Sequence, residues 1–138
     1  MRTFLAALGL CLGLAACGAG SDGGNHVVTI QNDGTNTVQC VARQFTRLTL
    51  TPSAGGAARA YDFVCSPYAS VEVHVTLPET GTYRLRLETP AGAGIWWDGL
   101  AMAVGGTTTV AVSTNNVGFY DNSYAAGLRS TGNDIPCQ

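Results

Sequence analysis

Apolar and polar side chains alternate one for one through "SVEVHVTL", residues 70–77, where Val71, Val73 and Val75 share one face and Glu72, His74 and Thr76 the other. A period of two is that of a half-buried strand. The period recurs in "TYRLRLET", with Tyr83, Leu85 and Leu87 inward and Arg84 and Arg86 outward. Other β-rich runs are "HVVTIQ", "TVQCVARQF", "RLTLT", "RAYDFVC", "IWWDGLAMAV" and "TTTVAVS", set apart by turn clusters such as "NDGTN", "PSAGGA" and Gly105-Gly106. In "TVQCVARQF", Val38, Cys40 and Ala42 share a face while Gln39 and Arg43 fall outside the pattern, which predicts a bulge or break near Ala42. About seven short strands spaced by turn signals give an all-β sandwich, placed here at residues 26–120. Residues 121–138, "DNSYAAGLRSTGNDIPCQ", show no clear period and are read as an irregular C-terminal tail.

The pattern also proposes neighbours. Leu48 and Leu50 set opposite Tyr61 and Phe63 make a hairpin. A two-residue turn at Gly105-Gly106 places Leu100, Met102 and Val104 opposite Ala111, Thr109 and Thr107. A three-residue loop places them opposite Val112, Val110 and Thr108, and this register is preferred because it stacks apolar on apolar. The strands 70–77 and 82–89 are either a simple hairpin, with Glu72 and His74 facing Arg86 and Arg84, or two strands in opposite sheets joined by a corner; the corner is preferred.

The connection between those two strands contains "LPETG", residues 77–81, which spells the pentapeptide that sortases cut. A sorting signal lies near the C-terminus and is followed by an apolar segment and a basic tail. Here the motif lies mid-chain and runs into alternating arginines. Leu77-Pro78 with Tyr83 following resembles instead the tyrosine corner of immunoglobulin-like and fibronectin type III sandwiches, in which a Tyr at a strand start bonds back to the preceding loop. Pro78 suits such a place because it needs no ladder N–H.

Composition narrows the function classes. The chain of 138 residues is 46 % hydrophobic, enough for one domain with a real core. Its basic residues are all arginine, so Schiff-base lysine chemistry and a phosphate-loop lysine are excluded. The formal net charge is −2 and no basic face gathers, which argues against nucleic acid as a partner.

The first residues carry the sharpest signal. Arg2 is followed by the apolar run "FLAALGLCLGL", too short for a spanning helix and of the length of a processing signal. Leu14-Ala15-Ala16-Cys17 then resembles the lipobox of bacterial lipoproteins. The resemblance implies a cleaved signal peptide at residues 1–16, lipidation of Cys17, and a membrane partner held through acyl chains. Gly18 after the cysteine, with no aspartate there, resembles lipoproteins sorted to the outer membrane, so the expected location is the cell envelope, on its periplasmic or surface side. Residues 17–25, the lipidated cysteine and "GAGSDGGN" up to His26, have the composition of a flexible tether.

A second resemblance covers the later half of the domain. "LPETGTYRLRLETPAGAGIWWDGLAMAVGGTTTVAV" looks like the last half of the carboxypeptidase regulatory-like, or prealbumin-like, sandwich: a proline-glycine turn, a Tyr strand, a Gly-rich loop and a closing Gly-Gly-Thr hairpin. It departs from that pattern at Gly81, which follows Glu79-Thr80 and does not directly trail the proline. The resemblance implies an immunoglobulin-like or prealbumin-like fold and brings no catalytic motif with it.

With Cys11 lost in the signal and Cys17 lipidated, Cys40, Cys65 and Cys137 remain. Oxidising surroundings favour pairing, and Cys40–Cys65 is the expected disulfide, worth roughly 3 kcal/mol on the chain-entropy model. Cys137 is left free, or joins a second molecule, or displaces one of the pair.

Candidate chemistry is thin. His74 with Glu72 offers two metal ligands where zinc wants three or four, so the pair is read as a solvated polar face and no metal or other cofactor is expected. No nucleophile, base and orienter assemble from named residues, and a non-enzymatic role follows; a cleft joining His74, Asp98 and a serine would reopen a hydrolase reading. Arg84 and Arg86 are read as a solvated or ion-paired face in preference to an anion site. Trp96 and Trp97, with Asp98 beside them, are the candidate ligand-binding residues. Neighbours on a strand point to opposite faces, so one indole enters the core and the other faces outward, where it can stack on a sugar ring or a partner protein. Two functional expectations result. The first is a lipid-anchored accessory or binding sandwich with a protein or glycan partner in the envelope; the second is a carbohydrate-binding module using Trp96 or Trp97.

Overall fold

Residues 23–32, 45–64, 70–113 and 123–135 are described by the computed structural model, and they form ten strands without a helix. Seven are long: β1 (Gly24–Asn32), β2 (Arg47–Pro52), β3 (Arg59–Asp62), β4 (Ser70–Leu77), β5 (Gly81–Glu88), β6 (Gly94–Met102) and β7 (Thr107–Val112). Three have two residues each: β8 (Tyr124–Ala125), β9 (Leu128–Arg129) and β10 (Gly132–Asn133). The count of ten, against about seven expected, corrects the sequence reading. Two-residue strands are too short to leave a period, which is why residues 121–138 read as irregular. The expected break near Ala42, the Cys40–Cys65 pair, Cys137 and Cys17 lie outside the described residues.

The strands make two five-stranded sheets, one in the order β9-β8-β7-β1-β4 and one in the order β10-β6-β5-β2-β3. All pairings are antiparallel except β1 with β7, where Val27 lies beside Thr107 and Ile30 beside Val110. The protein is thus an all-β sandwich, and its core is the set of inward positions that the alternation picks out. Val28, Ile30, Val73, Val75, Leu77, Val110 and Val112 come from the first sheet. Leu48, Leu50, Tyr83, Leu85, Leu87, Ile95, Trp97, Leu100 and Met102 come from the second. Glu72, His74 and Thr76 are exposed, and Val71 is half-buried at the core margin.

The choice between hairpin and corner at 77–81 falls to the corner, since β4 and β5 belong to opposite sheets. The Tyr83 hydroxyl donates to the Glu79 carbonyl and accepts the Glu79 N–H at 3.3 Å. The ring of Tyr83 is buried beneath the turn, so the hydroxyl satisfies two backbone groups that the crossing would otherwise leave without partners. "LPETG" is therefore the end of β4, the corner and the first residue of β5. Tyr83→Phe is expected to cost about 1–2 kcal/mol, read as a lower urea midpoint with an unchanged slope. A variant as stable as the parent removes the corner bond from the account.

The hairpin of β2 and β3 forms with Leu48 opposite Tyr61, and Leu50 meets Arg59. The expected pairing of 100–104 with 108–112 does not form. β6 and β7 lie in opposite sheets, and the turn between them is closed by the Gly106 N–H to the Ala103 carbonyl at 3.0 Å. Leu100, Met102, Val110 and Val112 are all buried as the pattern required, but the two strands face each other across the core. Apolar matching cannot distinguish neighbours in a sheet from partners across a sandwich, because both bury the same faces.

An extra residue in β6 relative to β5 resets the alternation: Tyr83 pairs with Leu100 and Leu85 with Trp97. The bulge falls at Asp98-Gly99, with Gly99 at φ 68°, in the left-handed region that glycine tolerates. It keeps Trp97 and Leu100 both inward although they are three residues apart.

Candidate functional site

The bulge decides where the tryptophans go. Trp97, in phase with Ile95, enters the core and is 1 % exposed, and its Nε1 has no hydrogen-bond partner among the described residues. Trp96 lies on the outer face of the second sheet and is half-buried. Of the candidate ligand residues, Trp96 and Asp98 reach the surface and Trp97 does not.

Trp96 is already well covered by its own chain. β5 supplies Arg84 and Arg86 from its outward positions, and the guanidinium carbon of each lies 5.0 Å from the centre of the Trp96 ring. This is cation–π distance. On the other flank, β10 pairs with β6 so that Gly132 lies beside Trp96. A Cβ at Gly132 would stand 2.2 Å from Cζ2 of the indole, so only glycine lets the edge strand lie so close.

Both arginines are also ion-paired. Arg84 Nε is 3.4 Å from Asp98 Oδ1, which shares the outward parity of Trp96. Arg86 Nε donates to Glu88 Oε2 at 3.0 Å, and its Nη2 donates to the Gly92 carbonyl at 2.9 Å and to Asp134 Oδ2 at 3.4 Å. The Gly94 N–H bonds to Asp134 and, against the opposing effect of burial and with help from Arg86, holds the Asp134 carboxyl below the usual carboxylate range. Asp98 in turn receives support through its N–H, which donates to Thr131 Oγ1 at 2.9 Å. The outer face is thus a stacked and ion-paired strip across β5, β6 and β10.

The two histidines have different surroundings. His74 is exposed, with Nε2 3.9 Å from Glu72 Oε1 on the same outer face. His26 is 1 % exposed and bridges β1 to the β6–β7 turn and to β7. Its Nδ1 donates to the Ala103 carbonyl at 2.6 Å, since a carbonyl only accepts, and its Nε2 meets Thr108 Oγ1 at 2.8 Å. The sequence reading passed over this bridge. His26 shares the inward parity of Val28 and Ile30, and a polar side chain in phase with a core face signals a buried hydrogen-bonded group. Among the described residues no group of three or more His, Cys, Asp or Glu side chains is arranged to hold a metal ion.

Comparison with protein-family models, with curated proteins and with solved structures returns no match for this chain.

Proposed function

We propose that the protein is a bacterial lipoprotein, anchored through Cys17 and serving as a non-enzymatic accessory or binding module in the cell envelope. The observation that carries this reading is Leu14-Ala15-Ala16-Cys17 directly after an apolar run with Arg2 before it. The acyl chains would confine the sandwich to a membrane plane and raise its effective concentration there, which is the work of an anchor. The carboxypeptidase regulatory-like resemblance, which brings no catalytic motif with it, agrees with a binding role. The Gly18 rule favours the outer membrane, facing the periplasm or the exterior.

The carbohydrate-binding reading stands second and rests on Trp96 with Asp98. It is the weaker because Arg84 and Arg86 already cover the indole, so a sugar would have to displace a guanidinium before stacking.

Cys17→Ser expressed in the native host tests the anchor. The parent should sediment with membranes and carry diacylglycerol on its first mature residue by mass spectrometry. The variant should appear in the soluble envelope fraction without the lipid mass. Membrane retention of the variant equal to that of the parent rejects the reading.

A further inference from the structure

We infer that one end of the sandwich, formed by Gly23 and the loops 53–58, 78–80 and 103–106, rests against the lipid surface to which Cys17 is attached. The inference builds on the lipoprotein reading and adds an orientation to it.

The position of the chain entry is the first argument. Gly23 lies directly against the corner: a Cβ there would stand 1.7 Å from the Leu77 carbonyl oxygen, and its φ of 73° is one that side chains avoid. The next residues stay at the same end, where Gly105 N–H donates to the Asn25 carbonyl at 2.6 Å and Val104 N–H to Thr80 Oγ1 at 2.9 Å. The loop after β2 joins them through the Ser53 N–H to the Thr82 carbonyl at 2.9 Å. Entry point and three loops therefore make one end of the molecule.

Length is the second argument. Gly23 follows Cys17 by six residues, a span that cannot exceed about 20 Å even fully extended. β4 alone has eight residues, and at about 3.3 Å each it is roughly 26 Å long. The tether is too short to let the far end of the sandwich turn over onto the bilayer.

Charge is the third. The loops 53–58, 78–80 and 103–106 carry a single ionisable side chain, Glu79, with Arg59 at their border reaching the Thr76 carbonyl, and they present Val104, 39 % exposed, with Pro78 beside Glu79. The far end, among the described residues, carries Arg47, Asp62, Glu88 and Asp134, brought together by the pairing of Arg47 with Asp62 and Glu88 and by the Asp134 N–H to the Gly94 carbonyl. The sheet faces are charged too, with Glu72 on one and Arg84, Arg86 and Asp98 on the other. The end nearest the anchor is the one whose approach to a membrane desolvates fewest charges.

Photo-crosslinking in the full chain tests the orientation. Val104→p-azidophenylalanine and, as a second probe of the same end, Glu79→p-azidophenylalanine are compared with Ala91→p-azidophenylalanine in the exposed loop after β5. Each is expressed in the native host, membranes are sedimented and then illuminated, and phospholipid adducts are counted by mass spectrometry. Several-fold more phospholipid adduct at positions 104 and 79 than at 91 is expected. Equal lipid adduct at both ends, or protein adducts alone at 104 and 79, overturns the orientation while sedimentation shows the anchor intact. Protein missing from the membrane pellet rejects anchor and orientation together.

Discussion

Trp97→Ala is expected to lower unfolding free energy by roughly 3–5 kcal/mol, the range for emptying a large aromatic from a packed core. Trp97 is among the largest fully buried side chains, placed on β6 opposite Leu85, and its neighbours come from two sheets that cannot both close on the space. Against a typical total of about 5–15 kcal/mol the loss is severe, and the variant should melt far below the parent or fail to accumulate. Trp96→Ala is the internal comparison. It removes two cation–π contacts from a half-buried ring, each worth about 0.5–1 kcal/mol near solvent, and should leave a folded protein. Urea unfolding followed by far-ultraviolet circular dichroism reads both, and a larger loss for Trp96→Ala reverses the inward and outward assignment on which the strip across β5 and β6 depends.

His26→Ala should cost roughly 3 kcal/mol. The imidazole satisfies the Ala103 carbonyl and the Thr108 hydroxyl, with Thr108 itself buried. Removing it takes the imidazole from the buried Thr108 hydroxyl, at about 1–3 kcal/mol for such a group, and adds a cavity, while the Ala103 carbonyl keeps the Gly106 N–H. His26→Leu fills most of the volume and isolates the hydrogen-bond share, so it should recover only part of the loss. His74→Ala, on the exposed face beside Glu72, should stay within about 0.5 kcal/mol of the parent. Amide exchange in the 103–106 turn should rise with His26→Ala and not with His74→Ala. Equal stability of the two variants contradicts the bridging role of His26.

The legible part of this fold is the part with a long period. β4 and β5 could be read residue by residue because eight consecutive positions alternate in each, and the proline and tyrosine between them mark a corner by chemistry that is local to the chain. β6 and β7 show the limit. Their inward residues were identifiable, yet their mutual placement was not, because the energy of burying Leu100, Met102, Val110 and Val112 is the same whether the strands lie side by side or face to face. β8, β9 and β10 were invisible because two residues define no period, although Gly127 after Ala126 carries a turn signal between β8 and β9. At the candidate site, the sequence implied one outward indole. Choosing Trp96 needed the parity set by Ile95, together with recognition of Asp98-Gly99 as a bulge that restores Leu100 to the core. The arginine stacking depends on cross-strand register, which the hairpin loop sets and the residues of β5 alone do not.

The parallel pairing of β1 with β7 has a consequence for how the chain acquires its shape. β1 is the first of the described strands and sits inside its sheet, with β4 on one side and β7 on the other. Hairpins of near neighbours, such as β5 with β6, close cheaply, whereas joining Val27 to Thr107 must overcome the loop entropy of nearly everything between them. A polypeptide emerging from its N-terminus therefore holds one side of β1 without its partner until Thr107–Val112 has followed, and the first sheet cannot be completed before then.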